Sequence, residues 1–507
     1  MNKLYYGDNL DILRKGKIPP GSVDLCYIDP PFNSKRNYNQ IYNNIGDEDR
    51  AQAQAFIDTW TWDDLAMAGY GEIIANDQGR FQAQLVDLIK GLHSVLREGS
   101  LLAYLVSIAL RVTEIHKVLK PTGVFFLHCD PTSSHYLKLI LDSVFCPQGG
   151  QFINEIAWCY SHGGKSSKRF GRKHDTIFFY SKSVDYAFNG DQIKIEMKSG
   201  KESFGGRLET DADGRAYRLV YGTKNKKGET RYYKYYLDEG KIPEDWWTDI
   251  NSIQATSAER LGYPTQKPAA LLDRIIKACT REGDVVLDAY CGCGTTVAVA
   301  QGLKRQWMGI DITFQSIALI LGRLEKTFGP TVLEGISTDG IPRDMASAEA
   351  LAHKKDDRLR KEFEKWAVLF YTSNRAIINE KKGADSGVDA RAFFKTGRVE
   401  NARIVFQVKS GAVKRGDVAA LRGDLEREEA ALAVLITLRE PSRQMIQEAK
   451  AAGQYSHQEM GRKYDRVSIV TIREIVEEGK RLEIPMSLEV FKAAQKAALE
   501  SSQMDLL

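Results

Sequence analysis

The sequence predicts an α/β fold whose main sheet is mostly parallel. Short apolar runs that end in polar or turn residues, such as 23–28, alternate with longer stretches such as 81–119, in which apolar residues recur at three- and four-residue spacing. A glycine-rich segment at 288–296 also lies between an apolar run and a helix-like run. Strands that alternate with helices in this way are typical of parallel sheets covered by helices.

The predicted elements form two groups, which divide the chain into domains 1–328 and 345–507. In the first domain we expect strands at 23–28, 124–127, 156–158, 176–180, 284–288 and 307–311, helices at 81–119, 137–145, 271–279, 296–301 and 317–324, and a turn at 121–123. In the second domain we expect strands at 388–394, 403–408 and 431–438 and helices near 356–370, 415–428 and 442–452. Residues 183–250 are rich in charge, glycine and tyrosine and lack apolar periodicity, so they predict an insertion in the first domain.

The composition indicates a soluble, cytoplasmic protein. Of its 507 residues, 43% are hydrophobic and 27% are charged, and the formal net charge is only +4. A nucleic-acid surface would therefore have to come from local clusters of basic residues. The seven cysteines contain no CxxC pair, which argues against a zinc ribbon and favours reduced thiols. No apolar run is long enough for a signal peptide or a membrane span, so we expect no membrane partner.

The glycine-rich segment 288–296 predicts a pocket for a nucleoside. Its sequence is Asp-Ala-Tyr-Cys-Gly-Cys-Gly-Thr-Thr, and the glycines allow a tight turn and close approach of the backbone to a ligand. Asp311 ends the next predicted strand, where an acid can accept hydrogen bonds from both hydroxyls of a ribose. A dinucleotide site would favour a third glycine at the position of Val297. S-adenosylmethionine (SAM), which has no pyrophosphate, fits better than NAD; a glycine turn made only for packing is the alternative.

The segment Asp29, Pro30, Pro31 and Phe32 follows a predicted strand and predicts a rigid loop that can hold a base. The exocyclic amine of a base is a poor nucleophile because its lone pair is conjugated with the ring. The Asp29 carboxylate and the Pro30 carbonyl could accept its two N–H groups, and the prolines would hold those acceptors still. Phe32 offers a face on which a flipped base can stack. The alternative is an ordinary turn at a strand end.

The nucleoside pocket and the base-holding loop can act together only if they meet in space. Both follow predicted strands, so both should lie at the carboxyl edge of the sheet. We therefore expect the strand that leads into Asp29 to lie beside the strand that leads into Asp288, although the two are far apart in the chain.

Five motifs in one order resemble the amino-methyltransferases of restriction–modification systems, in the permuted arrangement of the β class and the type III modification subunits. They are 6–9 (Tyr-Gly-Asp-Asn), 29–32 (Asp-Pro-Pro-Phe), 174–182 (His-Asp-Thr-Ile through Tyr-Ser-Lys), 263–268 (Tyr-Pro-Thr-Gln-Lys-Pro), and 288–296 with Asp311. The resemblance implies a Rossmann-like, SAM-dependent methyltransferase domain that methylates a flipped base of double-stranded DNA. Adenine N6 is favoured because Asp, not Ser, stands first in the catalytic motif; cytosine N4 is the alternative.

The resemblance also implies roles for individual residues. Asp8 would contact the adenine of SAM, and Asp311 would bind its ribose. The methionine end would be lined by Thr265, Lys267 and Pro268, and the cofactor would be enclosed by Asp288, Tyr290, Gly292, Gly294 and Thr295. The insertion 183–250 would recognise the DNA target by phosphate contacts and base stacking, through Lys224, Lys226, Lys227, Arg231, Lys234 and the tyrosines at 232, 233, 235 and 236.

The second domain carries Asp389 on one predicted strand and Gln407 and Lys409 at the end of the next. This pattern is typical of metal-dependent phosphodiesterases and resembles the Mrr-like branch of restriction-endonuclease folds, in which Gln often replaces an acid. Asp389 and the carbonyl between Gln407 and Lys409 could ligate Mg²⁺, and Lys409 could activate the attacking water. Glu362 or Glu364, on the preceding helix, could supply a further ligand. A DNA-binding or assembly domain that keeps the fold without cleaving DNA is the alternative.

The sequence thus predicts a site-specific DNA methyltransferase of a restriction–modification system. Three other functions stay open: a bifunctional methyltransferase and endonuclease, a methyltransferase acting on a protein glutamine or an RNA base, and a non-catalytic DNA-binding scaffold. The protein partners to consider are a second copy of the chain and a separate restriction subunit.

Overall fold

A computed structural model describes most of the chain. It covers residues 2–32, 60–161, 167–168, 170–196, 207–224, 228, 230–254, 257–261, 263, 265–353, 357–373, 376–379, 387–396, 401–457 and 462–484. Three residues singled out in the sequence, Lys226, Lys227 and Pro264, lie outside this part.

Strands form four sheets. The described strands are β1 (Asn2–Tyr6), β2 (Val23–Ile28), β3 (Leu119–Cys129), β4 (Gln151–Cys159), β5 (His174–Ser181), β6 (Arg207–Thr210), β7 (Ala216–Lys224), β8 (Thr230–Tyr236), β9 (Trp246–Trp247), β10 (Val285–Asp288), β11 (Gln306–Asp311), β12 (Ile336–Asp339), β13 (Ile377–Ile378), β14 (Ala390–Lys395), β15 (Asn401–Lys409), β16 (Leu432–Thr437), β17 (Gln454–His457), β18 (Arg462–Asp465) and β19 (Val467–Thr471). The largest sheet has nine strands in the order β12-β1-β11-β10-β2-β3-β5-β4-β9. In it β5 is antiparallel to β3 and β4, and the other pairings are parallel, as the sequence predicts.

Helices connect most of these strands. The described α-helices are α1 (Asn9–Arg14), α2 (Asp64–Ala75), α3 (Ala83–Leu96), α4 (Ser100–Val118), α5 (Ser134–Phe145), α6 (Ala269–Cys279), α7 (Thr295–Gly302), α8 (Phe314–Phe328), α9 (Met345–Ala352), α10 (Asp357–Tyr371), α11 (Arg415–Arg427), α12 (Arg443–Ala451) and α13 (Ile472–Val476), with short 3₁₀ helices at Cys146–Gln148, Gly190–Ile193, Leu237–Glu239 and Pro330–Gly335. Within the described ranges, none of these helices combines the length and the apolar character that crossing a membrane requires.

The large sheet is covered by helices on both faces. Alternate side chains of β2 point to opposite sides: Cys26 and Ile28 belong to the core shared with α1–α5, whereas Leu25 and Tyr27 belong to the core shared with α6–α8. Because both faces are buried, the strand has the continuous apolar sequence from which it was predicted. This doubly covered parallel sheet leaves its carboxyl edge open to ligands.

A five-stranded sheet, in the order β13-β14-β15-β16-β19, organises the C-terminal part of the chain. One of its faces packs against α11 and α12 in a core of its own. Its other face, with Ile404, Phe406 and Ile436, packs on α10 and belongs to the same continuous hydrophobic core as α6–α8 of the large sheet. The two large sheets therefore share a core through α10, which lies between them.

Three local features differ from the sequence prediction. The stretch 81–119 forms two helices, because the chain turns at Arg97, whose φ is +59°. The turn expected at 121–123 instead lies inside β3, where the register with β2 shifts between Val23 and Leu25. The insertion 183–250 contributes β9 to the large sheet, next to β4, and also contains the separate three-stranded sheet of β6, β7 and β8.

Gly309, in the middle of β11, allows the glycine-rich turn to pack on the sheet. An added Cβ would lie 2.5 Å from Cys291 Sγ and 3.0 Å from Leu4 Cδ1. We therefore expect Gly309→Ala to lower the free energy of unfolding by about 1–3 kcal/mol. Urea unfolding followed by circular dichroism measures the change. Gly322→Ala is the control, because Gly322 lies in α8 with open space around it. This change should raise the free energy of unfolding by about 0.5–1 kcal/mol. Equal effects of the two changes would contradict this packing argument.

Candidate active site

Four loops meet at the carboxyl edge of the large sheet. Strand β2 pairs in parallel with β10, with Asp288 opposite Tyr27, so the loop that begins at Asp29 lies next to the loop that begins at Asp288. The prediction that these two strands are neighbours is confirmed. Strands β11 and β1 follow in order and place Asp311 opposite Tyr6, just before Asp8.

These loops surround a cavity of about 980 Å³. Ten of the residues predicted for catalysis or cofactor binding line it: Asp8, Asp29, Pro31, Thr265, Lys267, Asp288, Tyr290, Gly292, Thr295 and Asp311. Pro30, Phe32, Pro268 and Gly294 lie in the adjoining loops and helix ends, outside the cavity lining. Most of the predicted site is thus collected in one place.

The glycine-rich turn is shaped by two left-handed residues. Gly292 has φ +50° and Gly294 has φ +73°, a region in which other residues are strained. An added Cβ on Gly294 would lie 2.6 Å from Ile320 Cγ1, so this glycine also allows α7 to pack closely on α8. The N–H of Gly292 donates to Asp311 Oδ2 at 2.8 Å, which ties the turn to the end of the next strand.

Two buried carboxyl groups make the cavity acidic. Burial, together with a smaller contribution from the nearby charges of Asp29 and Asp311, raises the pKa of Asp288 to about 7 against hydrogen bonds that lower it. Burial likewise raises the pKa of Asp311 to about 6. Asp311 Oδ1 accepts hydrogen bonds from the N–H and the hydroxyl of Thr313, at 2.9 and 3.0 Å, so its carboxylate has a fixed orientation. A fixed, acidic cavity suits a ligand with positive charge and hydroxyl groups.

Lys267 forms an ion pair with Asp29, and the two side chains are only 11% and 15% exposed. Its ammonium also lies 5.1 Å from the ring centroid of Phe32. The sequence predicts Lys267 at the methionine end of the cofactor; Lys267 lines the same cavity as the other predicted cofactor residues, and its charged group pairs with Asp29 of the base-holding loop. A substrate amine that approaches Asp29 has to share this carboxylate with Lys267.

A buried polar network that the sequence analysis missed lies beneath the base-holding loop. His128 is fully buried; its Nδ1 lies 2.8 Å from Tyr27 Oη and its Nε2 3.2 Å from Asp175. Tyr160 donates a second hydrogen bond to Asp175, and the His128 ring lies 5.9 Å from that of Phe32. In the sequence, Asp175 of the motif 174–182 and the polar residues that end β3 are signs of this network, but nothing there joins them.

Asp8 is held by contacts within the protein. Its carboxylate caps α1 by accepting the N–H of Leu10 at 2.9 Å, and it pairs with Arg111 at 2.9 Å. The next residue, Asn9, donates to the Ala289 carbonyl at 2.8 Å and so connects this loop to the glycine-rich turn. Arg111, at the cavity wall, is a second residue that the sequence analysis missed, because nothing in a helical stretch marks one arginine as directed inward.

The residues predicted for a nuclease are close together in the five-stranded sheet. Asp389 Oδ2 accepts the N–H of Val408 at 2.6 Å, and Gln407 donates from its amide to the Gly387 carbonyl at 2.6 Å. Asp389 lines the large cavity, while Gln407 and Lys409 do not. In the part of the chain that is described, no three His, Cys, Asp or Glu residues are grouped so that they could hold a metal ion, and Mg²⁺ is not supported.

The three-stranded sheet of the insertion presents an aromatic and basic surface. Tyr232, Tyr233 and Tyr235 of β8 are 59%, 45% and 50% exposed. On the same strand, the Lys234 ammonium lies 4.4 Å from the centroid of the Tyr217 ring. Exposed aromatic rings interspersed with cationic side chains suit stacking on bases and contacts with phosphate.

A family model described as "DNA methylase" matches residues 23–321, more than half of the chain. The chain belongs to this DNA methylase family. Among the relatives of this DNA methylase are "DNA adenine methyltransferase YhdJ" of Escherichia coli K12, 28% identical over 324 residues, and "Type II methyltransferase M.BglII" of Bacillus subtilis, 26% identical over 318 residues. The matches cover 64% and 62% of this chain, and 82% and 66% of those proteins; for "Type II methyltransferase M.HpaI" the match spans 57% of its length.

Comparison of structures gives matches at low identity. M1.HpyAVI is 16% identical with a TM-score of 0.33, covering 64% of this chain and 98% of that chain. The cytosine-N4-specific PvuII DNA methyltransferase is 15% identical with a TM-score of 0.37, covering 67% and 95%. In the C-terminal part of the chain, a second family model, described as "NACHT-associated inactive Restriction Endonuclease 1", matches residues 359–477. The similarity found there is to this restriction-endonuclease-like family; the narrower Mrr-like resemblance stays a prediction.

Proposed function

We propose that this DNA methylase uses SAM to methylate the exocyclic amino group of a flipped base in double-stranded DNA, and that the base is adenine. The observation that carries the proposal is the pairing of β2 with β10, which brings the Asp29 loop to the cavity of Asp288 and Asp311. We also propose the division into a methyltransferase domain at 1–328, with a target-recognition insertion at 183–250, and a C-terminal domain at 345–507.

The charge of the cavity and the polar groups that line it suit SAM. Asp311 would accept the ribose hydroxyls, and the ionised form of Asp288 would attract the ammonium and sulfonium groups, beside Gly292 and Thr295. Asp8 would lie at the adenine, and Thr265, Lys267 and Pro268 near the methionine. SAM would supply an electrophilic methyl group, so the protein's own task is to hold both reactants in line.

The base-holding loop supplies the acceptors that an amine needs. Asp29 and the Pro30 carbonyl would accept the two N–H groups of the amine, and Pro31 keeps the loop rigid. Phe32 would stack on the flipped base. The first position of the motif, Asp29, favours adenine, and one relative is described as a DNA adenine methyltransferase.

Removing the Asp29 carboxylate should abolish catalysis but spare cofactor binding. We expect Asp29→Ala to lower the rate of methyl transfer to DNA by at least about 100-fold, because it removes a fixed acceptor for the substrate amine. Transfer of labelled methyl groups measures the rate, and calorimetry checks that SAM still binds. Asp87→Ala, on the exposed surface of α3, is the control.

The same assay identifies the base. Digestion of the methylated DNA to nucleosides should release N6-methyl-2′-deoxyadenosine. N4-methylcytosine as the product would refute the adenine assignment but keep methyl transfer, whereas full activity of Asp29→Ala would refute the proposed role of the loop.

Affinity for SAM should depend on pH. Asp288 and Asp311 have pKa values raised to about 7 and about 6, so both lose their charge as the pH falls through that range. Because SAM carries positive charge, it should bind the ionised cavity best and release protons from it. We expect the dissociation constant to be lowest above about pH 8 and to rise about tenfold by about pH 6.

Calorimetry at several pH values, in buffers that differ in ionisation enthalpy, tests this dependence and the proton release together. The Asp288→Asn variant should bind more weakly at high pH and show a flatter profile. A dissociation constant that stays the same from about pH 8 to about pH 6 would speak against the assigned contacts.

We infer that the C-terminal domain keeps a restriction-endonuclease fold without cleaving DNA. Gln407 occupies the position where an acid would ligate a metal, and its amide is bonded to a backbone carbonyl. The matching family is described as inactive. Incubation of unmethylated plasmid with the protein and Mg²⁺ should leave it uncut; cleavage that is lost in Lys409→Ala would instead establish the bifunctional alternative.

A further inference from the structure

The large cavity is not lined by the methyltransferase domain alone. Its wall also contains Lys361 and Glu362 of α10, Asn379, and Val388 and Asp389, which directly precede β14. These residues belong to the C-terminal domain. The cavity proposed for SAM therefore lies at the contact between the two domains.

Helix α10 is fixed to the methyltransferase domain by packing. The ring of Tyr6, at the end of β1, contacts Phe314 of α8 at 6.0 Å between centroids, and Phe314 contacts Phe370 of α10 at 6.4 Å. Phe370 in turn stacks on Trp366 at 5.8 Å, and Trp366 is fully buried. A continuous row of rings thus runs from the carboxyl edge of the large sheet into the C-terminal domain.

One polar contact links α10 directly to the turn that follows Asp311. Glu362 is 7% exposed, and its Oε2 accepts the N–H of Phe314 at 3.3 Å. Phe314 is the first residue of α8, where backbone N–H groups lack partners within the helix. Lys365 pairs with the other oxygen of Glu362 at 2.9 Å.

This contact affects the predicted ribose site because only a short turn separates Asp311, at the end of β11, from Phe314, at the start of α8. Thr313 holds Asp311 Oδ1 through its N–H and its hydroxyl, and the same hydroxyl accepts the N–H of Ser316 at 3.2 Å. Glu362 holds Phe314, the residue that directly follows Thr313. A carboxylate from the other domain therefore helps set the start of α8, and with it the direction of the Asp311 carboxylate.

We propose that the C-terminal domain completes the cofactor site, and that Glu362 is a positioning residue that holds the turn at 311–314 in the form that binds ribose. This inference rests on the proposed function, since it takes the cavity to bind SAM. It gives the restriction-endonuclease fold a role in methylation: α10 is a permanent wall of the pocket.

Cofactor binding by Glu362 variants of the full chain tests the proposal. Glu362→Ala should raise the dissociation constant for S-adenosylhomocysteine, and the KM for SAM, about tenfold, while kcat and the affinity for DNA stay within about twofold. Glu362→Gln keeps an oxygen that can accept the Phe314 N–H, so it should recover most of the loss. Glu426→Ala, an exposed residue of α11, is the matched control and should behave as the unaltered chain.

A second ligand locates the effect. The probe 5′-deoxy-5′-methylthioadenosine has the ribose but lacks the amino-acid end, so Glu362→Ala should weaken its binding by the same factor. A loss for S-adenosylhomocysteine alone would overturn the assignment to the ribose turn. A lower kcat with unchanged KM would indicate only a smaller folded fraction, and would overturn it too.

The outcomes also separate this inference from the proposed function. If the unaltered chain binds S-adenosylhomocysteine and methylates DNA, but Glu362→Ala binds it equally well, only the inference is overturned. If the unaltered chain binds neither S-adenosylhomocysteine nor 5′-deoxy-5′-methylthioadenosine, both are overturned.

Discussion

The parallel pairing of β2 with β10 is the contact on which the active site depends. It joins strands from opposite ends of the methylase region and sets Asp288 opposite Tyr27, so that two loops remote in sequence border one cavity. The pairing is stable because β2 is buried on both faces, with Cys26 and Ile28 in one core and Leu25 and Tyr27 in the other. A shift by one residue would exchange the side chains that enter the two cores and would also move Asp29 along the edge of the sheet.

Because of this arrangement, several carboxylate groups lie close together around one cavity. Asp29, Asp288 and Asp311 follow or end the three neighbouring strands β2, β10 and β11. Asp288 and Asp311 are buried, and burial raises their pKa values. The protein offsets part of the charge with Lys267 on Asp29 and Arg111 on Asp8. A cationic ligand would offset the rest, which gives a physical reason why such a site should bind a sulfonium compound more tightly than a neutral analogue.

Sequence patterns predicted the strand and helix order well, because apolar periodicity reports burial directly. Ten of the fourteen residues that they predicted for catalysis and cofactor binding line the cavity, since those residues lie where apolar strands end. They could not find Arg111 or His128: a single polar residue within an apolar helix or strand has no local pattern, and its partners are distant in the chain. The division of 81–119 was missed for a related reason, because a left-handed Arg97 leaves the spacing of apolar residues almost unchanged.

The position of α10 gives the C-terminal sheet a role that does not require nuclease chemistry, in line with the inference that this domain does not cleave DNA. A hydrolytic site needs its acid open to metal and to DNA, but Asp389 faces a cavity bounded by the methylase loops, and its carboxylate accepts the N–H of Val408. Burial also raises the pKa of Asp389, against the N–H of Val408 and the charges of Lys409 and Lys361, which lower it. Because α10 packs on the C-terminal sheet, its proposed place in the wall of the cofactor pocket depends on that sheet keeping its fold, whatever residue stands at Gln407.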